Sequence, residues 1–270
     1  MNKFDKYLVV YIFSNFDDIN RFKNFINSYK NYPSGYPHKL IICFKLLDKT
    51  KLELCRSIAS SISYEEFIDP IQENDFEFKS MERTIEKYNN HIVLFLVSHC
   101  FFKKKDWLKI ISETFQDKSF MGFSGSYESG FSSLRFKKFW KIYSYLKQYF
   151  NLKKKFPKFP NPHIRSTSFV LKQRDFLEYI KNKKYFNKMD SVTTECGRYS
   201  LTNFFLKKNY NVFIINSSGE KFDLTNMEKS MTFCTSQVAD VLISDRHHIK
   251  YQLLSDEERL ITRKKVWANY

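Results

Sequence analysis

This sequence predicts an α/β domain built on an open, mostly parallel sheet, and three observations carry the prediction. Short, nearly continuous apolar runs recur at Tyr7 to Phe13, Leu40 to Phe44, Ile92 to Val97, Phe120 to Phe123 and Val212 to Ile215. Runs of this length, bounded by polar or glycine residues, read as strands buried on both faces, as the strands of parallel sheets are. Segments of helical period lie between them, and alternation of strand and helix over the first half gives the α/β class.

Each element has its own warrant. After the first run, residues 18 to 29 place apolar groups at 19, 22, 25, 26 and 29 behind an acidic start, which is a helix and the beginning of a βαβ unit. Residues 48 to 60 and 76 to 89 accept helical readings, and Trp107 to Phe115 gives another with Asp106 as its N-cap. In such a sheet the ligand site lies beyond the carboxyl ends of the strands. The chain contains no GxGxxG and no GxxxxGK[ST], which argues against a dinucleotide fingerprint and a P-loop.

Residues 134 to 158 change character: Lys and Arg repeat, no acid occurs, and aromatic and aliphatic residues are interleaved. Phe136, Phe139, Trp140, Tyr143 and Leu146 form a helical stripe flanked by basic groups. Two readings stand side by side, an amphipathic helix packed on the domain and an interfacial helix resting on anionic lipid. Nucleic-acid binding is weaker, because no recognised binding module accompanies the stretch. Pro157, Pro160 and Pro162 then stop the helix.

A chain of 270 residues can bury a full core, and a single domain over 1–270 is expected. The net charge of +16 favours anions at the surface, whether nucleic acid, acidic headgroups or a phosphorylated substrate. Five cysteines, an odd number with no CxxC pair, argue against a disulfide framework and for a reducing, cytoplasmic setting. The apolar run near the N-terminus is too short for a secretory or spanning segment, and no other run is long enough. A protein soluble in the cytoplasm, or peripheral at the inner face of the membrane, is expected.

Two polar stretches carry the chemistry, Asn161 to Phe169 (NPHIRSTSF) and Thr194 to Thr202 (TECGRYSLT). Each gathers groups that donate, accept or move protons and leads into an apolar run that fixes it. A lone carboxylate among hydroxyls and guanidinium groups suits a reaction that positions a sugar or phosphate and deprotonates a hydroxyl. Glu195 is that carboxylate. Capping by Thr193 or Thr194 would place it in the first turn of a helix running through Tyr199 to Leu206.

In order along the chain, Val9 to Ser14, Leu94 to Cys100 (LFLVSHC), Asp106-Trp107-Leu108, Gly122 to Ser129 (GFSGSYES), Pro160 to Phe169, Glu195 to Thr202 and Asp245 to Tyr251 (DRHHIKY) resemble bacterial family 2-like glycosyltransferases of the GT-A fold, the surface polysaccharide and lipopolysaccharide type. The resemblance covers nearly the whole chain. It implies a nucleotide-sugar-binding half over 1–130 and an acceptor-binding half over 131–270. It further implies a glycan or lipid-linked acceptor whose hydroxyl is activated by Glu195 with inversion. For the donor it implies Ser14, Asn15 and Asp17 after the first strand, Asp69 or Asp75 near the third, and Ser98 and His99 after the fourth. Ser124, Ser126 and His163 fall to the acceptor.

One position departs from the family. Where GT-A enzymes carry Asp-x-Asp to hold Mn²⁺ or Mg²⁺, this chain reads Ser98-His99-Cys100. His99 and His247 are then the metal candidates, and metal-independent stabilisation of the diphosphate by Arg165, Arg198, Arg246 and the His247-His248 pair is the alternative. If these histidines lie on a strand, only one of them faces the site. A non-catalytic GT-A-like protein that binds a glycan or a partner, and a basic nucleic-acid-binding protein, are the competing readings.

Overall fold

The structure, a computed structural model, describes residues 6–131 and 142–267. Phe136, Phe139 and Trp140 of the basic aromatic stretch lie outside the described residues. The first half alternates strand and helix, with β3 added to the elements the apolar periodicity predicts: β1 (Tyr7–Ser14), α1 (Ile19–Asn31), β2 (Lys39–Lys45), α2 (Lys49–Ala59), β3 (Glu65–Ile68), α3 (Phe76–Ile85) and β4 (Ile92–Leu96). β5 (Phe101–Phe102), α4 (Trp107–Thr114), β6 (Ser119–Gly122) and β7 (Gly125–Ser126) follow.

After them come α5 (Ile142–Lys155), β8 (His163–Ile164), β9 (Ser168–Lys172), α6 (Gln173–Ile180), α7 (Lys188–Cys196) and α8 (Leu201–Lys207). The chain then forms β10 (Asn211–Ile215), β11 (Lys221–Asp223), β12 (Ile243–Ser244), α9 (Arg246–Gln252) and α10 (Asp256–Trp267).

The main sheet runs β11-β10-β6-β9-β4-β1-β2-β3. β1 is parallel to both β2 and β4, and β2 to β3, while β9 is inserted antiparallel between β4 and β6. β10 is parallel to β6, and β11 closes that edge antiparallel. The predicted class, α/β with a mostly parallel sheet flanked by helices, is therefore the observed one.

Alternation along β1 divides the core between the faces of the sheet. Tyr7, Val9, Tyr11 and Phe13 pack with Phe22, Phe25 and Ile26 of α1, whereas Leu8, Val10 and Ile12 pack with Phe78, Met81 and Ile85 of α3. Each fully buried large side chain contributes about 1.5–3 kcal/mol relative to exposure. Both faces of β1 are covered, which is why its sequence reads as an unbroken apolar run.

The helix starts follow capping chemistry in part. Asp18 and Asp48 accept from the amides of Asn20 and Lys51 at the starts of α1 and α2. Asp106 does precede α4, but it sits in the left-handed region (φ 59°) and makes no side-chain cap. α5 leaves Tyr143, Leu146 and Phe150 exposed and packs through Leu152, which joins Phe156 and Cys196 in a small cluster. No helix among the described residues is long and apolar enough to cross a membrane.

Candidate active site

Strand order reverses between β1 and β4, since the chain runs outward through β2 to β3 and then returns to the other side of β1. Open α/β sheets leave a crevice at such a point, beyond the carboxyl ends of the strands. A cavity of about 380 Å³ opens there.

The loop after β1 is tied to the loop after β4 across this point. Asp17 Oδ2 accepts from the Ser14 amide at 2.9 Å and the Ser14 hydroxyl at 2.7 Å, and its Oδ1 accepts from the Ser98 hydroxyl at 2.5 Å. Tyr11, buried in β1, donates to the Ser98 carbonyl at 2.6 Å. Ser14, Asp17, Ser98 and His99 all line the cavity. Asn15 is anchored alongside: its amide donates to the Lys45 carbonyl and its carbonyl accepts from Lys51 Nζ.

Helix α7 supplies the opposite wall through Lys188, Ser191, Val192 and Glu195, the i, i+3, i+4, i+7 spacing of one helix face. Its start is fixed by a capping box between Asn187 and Asp190. Glu195 therefore lies in the last turn of a helix. This corrects the expectation of a helix begun by Thr193 or Thr194: both hydroxyls donate back to the Asp190 carbonyl within α7. The chain breaks at Gly197, whose Cβ position would fall 2.4 Å from the Thr193 carbonyl oxygen, and Ser200 caps α8.

Glu195 is held by Ser166. Its Oε2 accepts from the Ser166 amide at 2.9 Å and from the Ser166 hydroxyl. Its Oε1 lies 4.0 Å from Nε2 of His163, which is buried behind it with Nδ1 paired to the Asn161 carbonyl at 2.8 Å. Burial lowers the pKa of His163 against the opposing pull of Glu195. Glu77, which also lines the cavity, is raised by burial and by the neighbouring Glu195 and Asp17 charges, with its own amide opposing.

Arg246 and His247 close the cavity near His99. The two imidazoles meet edge to face at 5.7 Å between centroids. Burial brings His99 down to about 3 and His247 to about 4, in the second case helped by the Arg165 charge. Both rings are neutral at pH 7. The His247-His248 pair is on helix α9 and not on a strand: His248 turns inward to pair with Asp245 and the Thr232 carbonyl, leaving His247 at the cavity.

The donor set does not fit a hard divalent cation. Oxygen-rich coordination is what Mg²⁺ and Mn²⁺ select. Asp17 is committed to Ser14 and Ser98, and no group of three His, Cys, Asp or Glu able to hold an ion occurs among the described residues. His99 and His247 remain as a pair of neutral imidazoles, the Nε2 of His99 buried without a hydrogen-bond partner among the described residues.

Several residues expected at the site have other partners. Arg165 is buried, 3.1 Å from Asp245 Oδ2, with its guanidinium 3.8 Å above the Phe233 ring and Nη1 donating to Ser124 Oγ at 3.2 Å. Although burial opposes ionisation of Asp245, the Arg165 charge and the His248 hydrogen bond hold its carboxyl well below the usual range. Ser124 is thereby spent on Arg165, and Ser126 accepts from the Glu128 amide; neither lines the cavity. Arg198 points away, donating to the Lys153 carbonyl of α5 at 3.1 Å, and lines a separate depression beside Tyr199.

Asp75 belongs to a charge network with Lys45, Asp69 and Arg83, in which Arg83 Nη1 reaches Asp75 at 2.7 Å and Nη2 reaches Asp69 at 2.7 Å. Burial works against ionisation of Asp69 and Asp75, and Arg83 outweighs it, keeping both carboxyls below their usual range. Lys45 carries this network to the cavity floor. Lys45, Phe16, Phe76, Glu77, Ser166 and Lys188 line the cavity without having been singled out from the sequence as site residues. For Lys188 the signal was legible, in the Asn187-x-x-Asp190 capping box and the helical spacing that follows it.

No family model and no curated protein match the chain. Among solved structures it is similar to the mannosyltransferase PcManGT of Pyrobaculum calidifontis in complex with GDP-Man and Mn²⁺, with 9% identity, 77% of this chain and 53% of that one covered, and a TM-score of 0.46. It is similar to TarS 1–349 of S. aureus at 12% identity, 78% and 58% coverage and a TM-score of 0.45. It is also similar to GalNAc-T7 with UDP, GalNAc and Mn²⁺ at 10% identity, 77% and 41% coverage and a TM-score of 0.48. The chain spans about half the length of these three structures. Likeness at such identities concerns the path of the chain and not its chemistry.

Proposed function

We propose that this chain is a GT-A-type glycosyltransferase that moves a hexosyl unit from a nucleotide-sugar donor to a hydroxyl of a cell-surface glycan or lipid-linked acceptor, with inversion. The observation that carries the reading is the Glu195 carboxylate, fixed by Ser166 in a cavity at the carboxyl ends of parallel strands that also receives Arg246, His247 and Lys188. A general base has to be held within reach of the proton it takes, and one oxygen bound by two donors leaves the other available.

In the proposed step the acceptor oxygen bonds to the anomeric carbon while its proton passes to Glu195 Oε1. The bond from that carbon to the donor diphosphate breaks, and its electron pair leaves on the diphosphate oxygen. Arg246 and Lys188 supply positive charge to the leaving group, the contribution expected of cations where the described residues gather no metal-ligand cluster. Phe16 and Phe76 offer aromatic faces to the nucleobase. The neutral rings of His99 and His247 contribute hydrogen bonds without charge.

The reading places the enzyme in the cytoplasm, peripheral to the inner face of the membrane. α5 contains no acid and leaves Tyr143, Leu146 and Phe150 uncovered beside Lys147, Lys153 and Lys154. Aromatic groups that insert and ammonium groups that neutralise headgroups suit an anionic surface.

A thermal-shift series against UDP, GDP, CMP and dTDP sugars, with Mn²⁺ or with EDTA, tests donor and metal together. One nucleotide class should raise the melting temperature, because a ligand bound only to the folded state stabilises it. EDTA should leave both that shift and turnover within about threefold, since the charge comes from Arg246 and Lys188. No shift with any donor defeats the enzyme reading. Binding without turnover, unaltered by Glu195→Gln, favours a non-catalytic binding protein, the reading to which Ser98-His99-Cys100 in place of paired carboxylates lends support.

A further inference from the structure

A second depression, of about 270 Å³, adjoins the reaction cavity and shares two of its lining residues, His99 and Arg246. Phe101, Ile249 and Leu253 give it an apolar floor, and Arg246 and Lys250 stand around it with Arg21, whose guanidinium lies 3.6 Å from Asp17 Oδ1. Helix α9 explains the arrangement, since Arg246, Ile249 and Lys250 follow at i, i+3 and i+4 on one face and Leu253 is the residue that ends the helix. Ile249 is 43% exposed and Leu253 81%. Lys103 adds a further cation at 6.0 Å from the Phe101 ring centroid.

Single exposed apolar side chains are ordinary on protein surfaces. Here they form a continuous floor, ringed by positive charge, that opens beside a cavity proposed to handle phosphorylated sugars. Apolar contact with cationic groups at its edge matches a molecule that joins a hydrocarbon chain to a phosphate.

We propose that this depression seats the lipid of a phosphorylated acceptor. The hydrocarbon chain lies over Phe101, Ile249 and Leu253, the phosphate meets Lys250, and the head group passes His99 into the reaction cavity. The assignment rests on the glycosyltransferase reading and narrows it, from a glycan or lipid-linked acceptor to a lipid phosphate.

The test titrates the full chain with alkyl phosphates from hexyl to dodecyl, below their micelle concentrations, by calorimetry. Each buried methylene should tighten binding by about fourfold until the depression is filled, because its transfer from water contributes about 0.8 kcal/mol. The double variant Ile249→Asp with Leu253→Asp should bind dodecyl phosphate at least tenfold more weakly and lose the dependence on chain length. Both side chains are exposed, so an unchanged melting curve is expected and checks that the fold is intact. Sedimentation with anionic phospholipid vesicles should not distinguish the variant from the parent.

Affinity independent of chain length, or a variant that binds dodecyl phosphate as tightly as the parent, overturns the proposal. Loss of vesicle binding with alkyl phosphate binding retained also overturns it, by making the face a bilayer contact. The nucleotide-sugar thermal shift, repeated on the same variant, should be unchanged. Absence of that shift from parent and variant alike, with chain-length-dependent alkyl phosphate binding intact, defeats the glycosyltransferase reading and leaves the lipid site standing.

Discussion

Ser166 grips a single oxygen of Glu195 with two donors, its backbone amide at 2.9 Å and its own hydroxyl. The other oxygen is left facing His163 Nε2 at 4.0 Å and the open cavity. One carboxylate oxygen immobilised and one available is the arrangement a general base requires. Glu195→Gln should lower kcat by about 10²–10⁴-fold with donor binding retained. Ser166→Ala removes one of the two donors and should lower kcat by about five- to tenfold, the worth of one hydrogen bond. Steady-state kinetics beside calorimetric donor binding decides it, and an unaltered kcat in Glu195→Gln removes the base from this carboxylate.

Phe16 stands at the cavity with 71% of its surface exposed, so its removal costs the fold little. If the nucleobase stacks on it, Phe16→Ala should weaken nucleotide diphosphate binding by about five- to a hundredfold, the range that loss of an aromatic platform produces. The melting temperature of the unliganded protein should move by no more than a surface substitution allows. An unchanged Kd by calorimetry excludes Phe16 as the platform.

Arg165 belongs to the fold's buried electrostatics. Its partner Asp245 caps α9, the helix that brings Arg246 and His247 to the cavity. Truncating one member of a buried pair leaves the other uncompensated, so Arg165→Ala should destabilise by about 3–5 kcal/mol in urea unfolding. Arg165→Met keeps an apolar contact with Phe233 and should lose less. A stable Arg165→Ala protein with weakened donor binding restores this residue to the donor site.

Five of the eight strands of the main sheet, β1, β2, β4, β6 and β10, were legible because they are buried on both faces and read as uninterrupted apolar runs, whereas the edge strands β3 and β11 are only partly buried and carry no such run. The antiparallel strand β9 was not legible either, because Ser168–Lys172 looks from the sequence only like an apolar run behind a polar motif; its direction is set by pairing with β4 and β6. Glu195 was singled out from its chemistry and does line the cavity, but its helical position was misread: threonine at 193 and 194 fits a cap in isolation, whereas Asn187 caps the helix six to seven residues earlier. Arg198 and Asp75 share a different cause. A charge near a motif predicts a ligand contact only if no protein group claims it first, and the Lys153 carbonyl and Arg83 do. Lys45 escaped notice because a lysine at the end of an apolar strand reads as a solvent-facing terminus, while here it is buried against Asp69, Asp75 and Ser80.

His99 gives the cavity a pH signature. The unfolded chain's imidazole takes a proton around its ordinary value of 6.5, whereas burial holds the folded ring neutral down to about 3. Between these values the unfolded state binds more protons, so stability falls as pH is lowered from about 6.5. At pH 5 the loss attributable to one such ring approaches about 2 kcal/mol. His247, lowered to about 4, acts in the same direction, while Asp245 opposes both shifts. Urea midpoints at neutral and mildly acidic pH should therefore converge in His99→Asn relative to the parent. A parent that gains stability on acidification, with the gain removed by His99→Asn, means that this ring ionises in the folded state with Asp245 as its partner.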